Sequence, residues 1–323
     1  MKRSIWQTLL LWVLPLAFLL IFFYQPLVAI FRLVFSAQFS QGWKLFRWSQ
    51  ITKPLAFTLY QATLSTVLTL VLGLPAAYLF ARFDFAGRKF LRVLITIPFI
   101  LPTVVVAAAF NTLLGPRGWL NLGLMSLFNL SAPPINMLNS LSAILLAHIF
   151  YNTSIVIRMV GSSLSRLRQN LPLAAQNLGA SPWRAFKEVT LPLLMPAILS
   201  ATLMVFLFDF TSFGVVLMLG GPQFLTLEVE IYNQAVNRFN LPVAGLLSIV
   251  QLAFTLLVSV LINRSKQPRY GKAALASESS GLREAETRWE KIFVIVMVVV
   301  LLLLMVTPTL SLLTRSFFTF DAA

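Results

Sequence analysis

The chain has no cysteine, a single histidine, and ten acidic residues against 25 lysines and arginines. The absence of cysteine excludes disulfides, thiolate metal sites and a cysteine nucleophile. One histidine, His148, cannot by itself build a multi-histidine metal site, so neither a metal nor another cofactor is expected. No G-x-x-x-x-G-K-[ST] run occurs, which excludes ATP binding by a P-loop, and H-E-x-x-H and G-x-S-x-G are missing as well. No catalytic residue emerges, and an enzyme is not expected.

What the chain does have is apolar length. Hydrophobic residues make up 58% of it, and runs of about 20 apolar residues, enough to cross a bilayer as helix, recur along it. The fold class that follows is all-α, a polytopic transmembrane helical bundle. Seven spans are read, at 8–35, 55–81, 91–114, 139–161, 191–219, 241–263 and 291–315. The first is kept as a real helix, because no A-x-A cleavage pattern follows it.

Basic residues gather in alternate loops. One set holds Lys2 and Arg3, then Arg82, Arg88, Lys89 and Arg92, then Arg158, Arg166, Arg168, Arg184 and Lys187. It ends with Arg264, Lys266, Arg269, Lys272, Arg283, Arg288 and Lys291. By the positive-inside rule these loops face the cytoplasm, and the N-terminus with them. The net charge of +15 then reflects lipid headgroups and topology. No aromatic-interleaved basic patch points to nucleic acid, so none is expected as a partner.

Between two apolar runs lies a polar, positively charged stretch, 171–192, reading LPLAAQNLGASPWRAFKEVTLP. Ser181 suits a helix N-cap and Pro182 the first helical turn, while Arg184 and Glu188 stand four apart on one helical face. A short helix is expected after Gly179, which frees the backbone to bend, and the small pair Ala174 and Ala175 lets the preceding turn be approached closely. Pro192 is expected to begin the next apolar run.

Ala174, Ala175, Gly179, Val189, Leu191 and Pro192 fall at the spacings of an E-A-A, three residues, G, nine residues, I-x-L-P pattern. In this the chain resembles the permease subunits of binding-protein-dependent ABC importers, whose cytoplasmic coupling loop carries that pattern. The departure is Leu173, where the family usually has its Glu. The resemblance implies a type I importer permease fold in the inner (plasma) membrane and a cytoplasmic ABC ATPase dimer docked on 171–192, with Ala180, Ser181, Pro182 and Arg184 on the same coupling surface. It also implies a periplasmic or lipid-anchored solute-binding protein. Overall similarity is to the fused two-copy permeases for iron(III) and thiamine, which makes iron(III) the first expectation for the solute and thiamine the second.

A solute path needs polar groups within apolar helices. The run 55–81 carries Thr58, Gln61, Thr63, Ser65, Thr66 and Thr69, and the next carries Asn111. Such small polar residues also serve close helix packing. Asp209 is read in the middle of its run, where a charge costs about 2.5–3.5 kcal/mol to insert. It is a candidate for the path, for a pair with His148, or for a protonated acid simply bonded inside the bundle; His148, Asn152 and Asn111 join it as path candidates. Glu228 and Glu230 follow a Gly220-Gly221-Pro222 turn and are read outside the membrane, as contacts for the binding protein or as a solvated surface.

Residues 1–263 are read as one permease unit with its core at 55–263, followed by a charged linker at 264–290. The run from Trp289 to Phe318 repeats the features of Trp6 to Phe35: an aromatic at the cytoplasmic edge, a late proline (Pro308 and Pro26) and then an arginine (Arg315 and Arg32). We expect 291–323 to open a second, truncated copy of the unit; a lone anchor helix is the plainer alternative. The rival functional class is a secondary transporter driven by an ion gradient, which would favour carboxylates in several helices, whereas Asp209 alone lies in a clear span. A purely structural scaffold is a third, weakened by the Pro, Gly and Thr inside the spans.

Overall fold

The computed structural model describes residues 5–35, 47–167, 170–264 and 281–317. Lys2, Arg3, Arg168, Lys266, Arg269 and Lys272 of the orientation argument, Phe318 of the repeat, and most of the 264–290 linker lie outside the described residues.

The described secondary structure is helical. The first span is α1 (Ile5–Leu19), a π turn (Leu20–Tyr24) and α2 (Gln25–Val34). Then come α3 (Ser49–Arg82), α4 (Arg88–Ile100), α5 (Thr103–Leu114), α6 (Trp119–Phe128) and α7 (Leu141–Arg166). The polar segment holds α8 (Asn170–Asn177) and α9 (Pro182–Ala185), and a π turn (Phe186–Thr190) joins α9 to α10 (Leu191–Phe210). Short helices α11 (Gly214–Leu219) and α12 (Leu227–Tyr232) precede α13 (Leu241–Arg264) and α14 (Arg288–Phe317). Six of these helices or joined helices are long and apolar enough to cross a membrane, or seven if α4 and the bent stretch after it count as one span.

Two apolar runs depart from the sequence reading, each for a local reason. The run 91–114 is not straight: Arg88–Ile100 and Thr103–Phe128 meet at 111°. Pro102 drives Leu101 into the extended region (φ −68°, ψ 135°), which ends α4. The run 191–219 stops being one helix at Phe210, so Asp209 sits beside the helix end rather than in the middle of a span. Pro192 stands in the first turn of α10, at the head of the apolar run as expected, and α9, the π turn and α10 continue without a break as one span, Pro182–Phe210. A proline ring crowds the carbonyl four residues back, which for Pro192 is that of Glu188, inside the wider π turn. The same device stands before Pro26, whose ring faces Phe22 of the first π turn.

By contacts the chain divides into two compact units, Met1–Leu55 with Leu227–Phe254, and Ala56–Thr226 with Thr255–Ala323. In the first, α2 approaches α13 so closely that a Cβ on Gly245 would lie 2.8 Å from Val34 Cγ2. In the second, α3, α7 and α10 share a core of Ala77, Ile155, Val156, Val160, Ala201 and Val205. A Cβ on Gly73 would lie 2.7 Å from Val156 Cβ, so only glycine permits this crossing of α3 and α7. Helix α14 is tied to α5 through Ser311, whose hydroxyl donates to Ala109 O at 3.2 Å. Its leading residues pair with the end of α3: Asp84 N donates to Arg283 O, Arg283 N to Arg82 O, and the Arg283 guanidinium lies 4.9 Å from the Phe83 ring centre.

Candidate functional site

The segment 171–192 forms a helix, a bend and a second helix. Helix α8 ends in a Schellman motif: Ala180 N donates to Ala175 O at 3.0 Å and Gly179 N to Gln176 O at 2.9 Å. Gly179 occupies the left-handed position with φ +93°, which an L side chain adopts only with strain. Ser181 then caps α9, its hydroxyl accepting from Arg184 N at 3.2 Å, and Pro182 fills the first turn. Arg184 and Glu188 pair at 3.1 Å on the exposed face. A surface ion pair of this kind adds little stability, so it orients the face more than it holds the helix.

The bend presents apolar groups to the outside. Leu178 at its tip is 90% exposed, and Trp183 is 70% exposed while stacked on Phe186 at 5.7 Å. Leu173, the residue at the family's acidic position, is exposed beside them. Ala174 is exposed and Ala175, Ala180, Val189 and Leu191 are half-buried, while Pro192 is exposed. The backbone is therefore fixed by capping hydrogen bonds while its large apolar side chains remain uncovered, as suits a rigid knob that docks elsewhere.

A buried polar node is the second feature. Asn152 donates to Asp209 Oδ1 at 2.6 Å, and His148 Nδ1 lies 3.4 Å from the same oxygen. His148 is further held at both ring nitrogens, by Ser65 at 2.9 Å and Ser212 at 2.8 Å. Gln61 donates to Asp209 O at 2.7 Å. Asp209 is 0% exposed, so the node fastens α3, α7 and α10 where the end of α10 would otherwise bury an isolated polar group. A cavity of about 470 Å3 borders it, walled by Phe99, Tyr151, Phe208 and Phe213 and reaching His148, Asn152 and Asp209. The Tyr151 hydroxyl donates to Leu101 O at 3.2 Å, at the break before Pro102.

Three of the four path candidates, His148, Asn152 and Asp209, are thus brought together, whereas Asn111 stands exposed on α5 away from them. Ser65 and Gln61, named among the polar residues of the run 55–81, join the node, while Ser212 completes it and Tyr151 lines the cavity without having been singled out. The two glutamates are not a free acidic surface. Glu230 is buried, accepting from Gln234 at 2.6 Å and from Arg238 at 3.4 Å on its own helical stretch. Glu228 is half-buried and accepts from Gln251 at 3.2 Å. Burial pushes the Glu228 carboxyl up to about 7, with the Gln251 bond acting in the opposite sense.

The described residues thus form long apolar helices with a capped, outward-facing bend between two of them. Residues 69–307 match the family described as binding-protein-dependent transport system inner membrane component, and the chain belongs to that family. It is a multi-pass permease subunit of the ABC importer type and not an enzyme. The thiamine transport system permease protein ThiP of Haemophilus influenzae is 32% identical over 309 residues, which are 93% of this chain and 54% of ThiP. The chain therefore spans about half the length of that relative. The putative 2-aminoethylphosphonate transport system permease protein PhnU of Salmonella typhi is 30% identical over 76% of this chain and 88% of its own. Among solved structures, a bacterial ABC transporter involved in the import of the acidic polysaccharide alginate shares the fold, with a TM-score of 0.67 at 19% identity over 81% of this chain and 96% of that one.

Proposed function

We propose that this chain forms one side of the solute pathway of an ATP-driven importer, and that residues 171–192 carry the motion of a cytoplasmic ATPase dimer into α10. The observation that carries this reading is the Gly179 bend: a capped, rigid turn exposing Leu178, Trp183 and Phe186, continuous through the π turn with a membrane helix. Ala174, Ala175, Gly179, Ala180, Ser181, Pro182, Arg184, Val189, Leu191 and Pro192 make up the coupling segment. The N-terminus and this segment lie in the cytoplasm, and a periplasmic or lipid-anchored binding protein delivers solute from the other side. Residues 1–263 are the first permease unit, and 291–323 open a second.

For the solute we favour thiamine over iron(III). The likeness to ThiP over 93% of this chain supports thiamine. The cavity beside Asp209, walled by four aromatic rings and with no lysine or arginine among its lining residues, suits a flat cationic heterocycle. Among the described residues no group of three His, Cys, Asp or Glu could hold a metal ion, so nothing here favours iron. His148, Asn152 and Asp209 are the path residues; Asn111 is set apart from them, and Glu230 is too buried to serve as a binding-protein contact. The test is uptake into proteoliposomes holding the permease with a partner ABC ATPase and a solute-binding protein. ATP-dependent accumulation of thiamine, unaffected by iron(III), 2-aminoethylphosphonate or sulfate, is expected. Accumulation of iron(III) but not thiamine would reverse the choice of solute, and no ATP-dependent uptake of any of them would sink the importer reading.

A further inference from the structure

A second cavity, of about 600 Å3, lies at the end of the bundle where α4 begins and α7 finishes. Three arginines line it: Arg88 and Arg92 from the first turns of α4, and Arg158 from α7. Among the described residues none of the three forms an ion pair, and Asp84 acts on Arg88 only at longer range. Arg88 is anchored by a bond from Nη2 to Phe80 O at 2.8 Å, while its buried Nε has no partner. The guanidiniums of Arg92 and Arg158 rest on the Phe80 and Phe99 rings, at 6.0 and 5.2 Å from the centres. A ring beneath a guanidinium occupies its flat face and leaves the in-plane N–H donors free.

Three positive charges around one hollow repel one another unless an anion joins them. The hydroxyls at the rim are not donors for it: Thr96 donates to Arg92 O, Ser162 to Met159 O and Ser165 to Ser162 O. The recognition must therefore come from guanidinium forks, whose geometry matches phosphoryl oxygens two at a time. The rest of the wall is largely apolar, from Phe80, Ile95, Ile157 and Leu282, which favours a ligand with a greasy part and so the lipid source over the soluble one.

We propose that this cavity binds a phosphoryl group, carried by an anionic phospholipid headgroup or by a small soluble phosphate ester. The proposal goes beyond the transport reading, and its test needs no transport. The full chain is placed in nanodiscs of equal phosphatidylglycerol and phosphatidylcholine, and co-purified lipid is counted by native mass spectrometry. In discs of phosphatidylcholine alone, glycerol 3-phosphate binding is measured by calorimetry. Selective retention of phosphatidylglycerol, lost about tenfold for each guanidinium removed in Arg92→Gln and Arg158→Gln, supports the lipid source. Binding of glycerol 3-phosphate without that selectivity, lost in the same variants, supports the soluble one. Both side chains are exposed, so their removal leaves packing intact. Arg158→Lys keeps the charge without the fork and should weaken binding only in part, which serves as the check if a Gln variant fails to fold. Equal retention by wild type and variants, or no binding of either probe, overturns the proposal.

Discussion

Substituting Gly179 separates the backbone requirement of the bend from every other contact, because nothing lies within 4 Å of a Cβ built there. Gly179→Ala therefore meets no steric neighbour and costs only the strain of an L residue at φ +93°. That strain is about 1–2 kcal/mol, a bias of roughly five- to thirty-fold against the bent form. Gly179→Pro is more severe. Its ring holds φ near −65° and removes the N–H that donates to Gln176 O, so neither the left-handed turn nor the Schellman bond can form. Asn, which tolerates the left-handed region better than other side chains, should be milder than Ala. Coupling is read as ATP-driven uptake and as stimulation of the ATPase by the permease in proteoliposomes, with membrane insertion checked in parallel. The expected order of residual coupling is Gly, Asn, Ala, Pro, with Pro near zero and all four inserted equally. Normal coupling by the Pro variant would refute both the bend and its role.

Further expectations rest on other sites. Asp209→Asn keeps an acceptor for Asn152, so uptake should fall while the thermal midpoint in detergent barely moves; undiminished uptake would remove Asp209 from the path. Asp209→Leu instead strands the Asn152 amide in the core and should lower stability by about 1–3 kcal/mol, read from the same melting curve. Gly73→Ala drives a methyl onto Val156 Cβ at 2.7 Å and should destabilise by about 1–3 kcal/mol, with Val156→Gly restoring more of the loss in the double variant than Val156→Ala, which keeps that Cβ. Since the folded Glu228 carboxyl sits near 7, above its ordinary 4.5, its neutral form is the one that folding favours. Its contribution is complete below pH 4.5 and is lost as the pH rises through 7. The thermal midpoint should therefore drop between pH 4.5 and about 7, and Glu228→Gln should flatten that slope; an unchanged slope would show that another group titrates.

How much of this was legible in the sequence depends on how local each determinant is. Gly179, Ser181 and Pro182 are adjacent signals acting on their own backbone, so the bend and the helix after it could be read directly. Hydropathy gives the length of an apolar run but not its direction, so the run 91–114 looked straight although Pro102 turns it through 111°. Nor does it reveal where a helix ends, so Asp209 was placed mid-span when it stands one residue before the end of α10. The His148 and Asp209 pairing could be raised from the rarity of such groups in apolar helices. The serines that hold the imidazole stand 83 and 64 residues away in the chain, so even Ser65, visible as a polar group in an apolar run, carries no sign of its partner. Glu230 is the instructive miss, since Gln234 and Arg238 follow it at four and eight residues, a spacing that announces partners on one helical face. Its acid was read as surface because it follows a turn, yet a carboxylate with two donors already in register on its own helix can be drawn inside. The same reasoning gives the arginine-lined cavity its weight. Arg88, Arg92 and Arg158 enter the sequence reading only through topology, yet among the described residues none of the three forms an ion pair, although Asp84 stands four residues before Arg88.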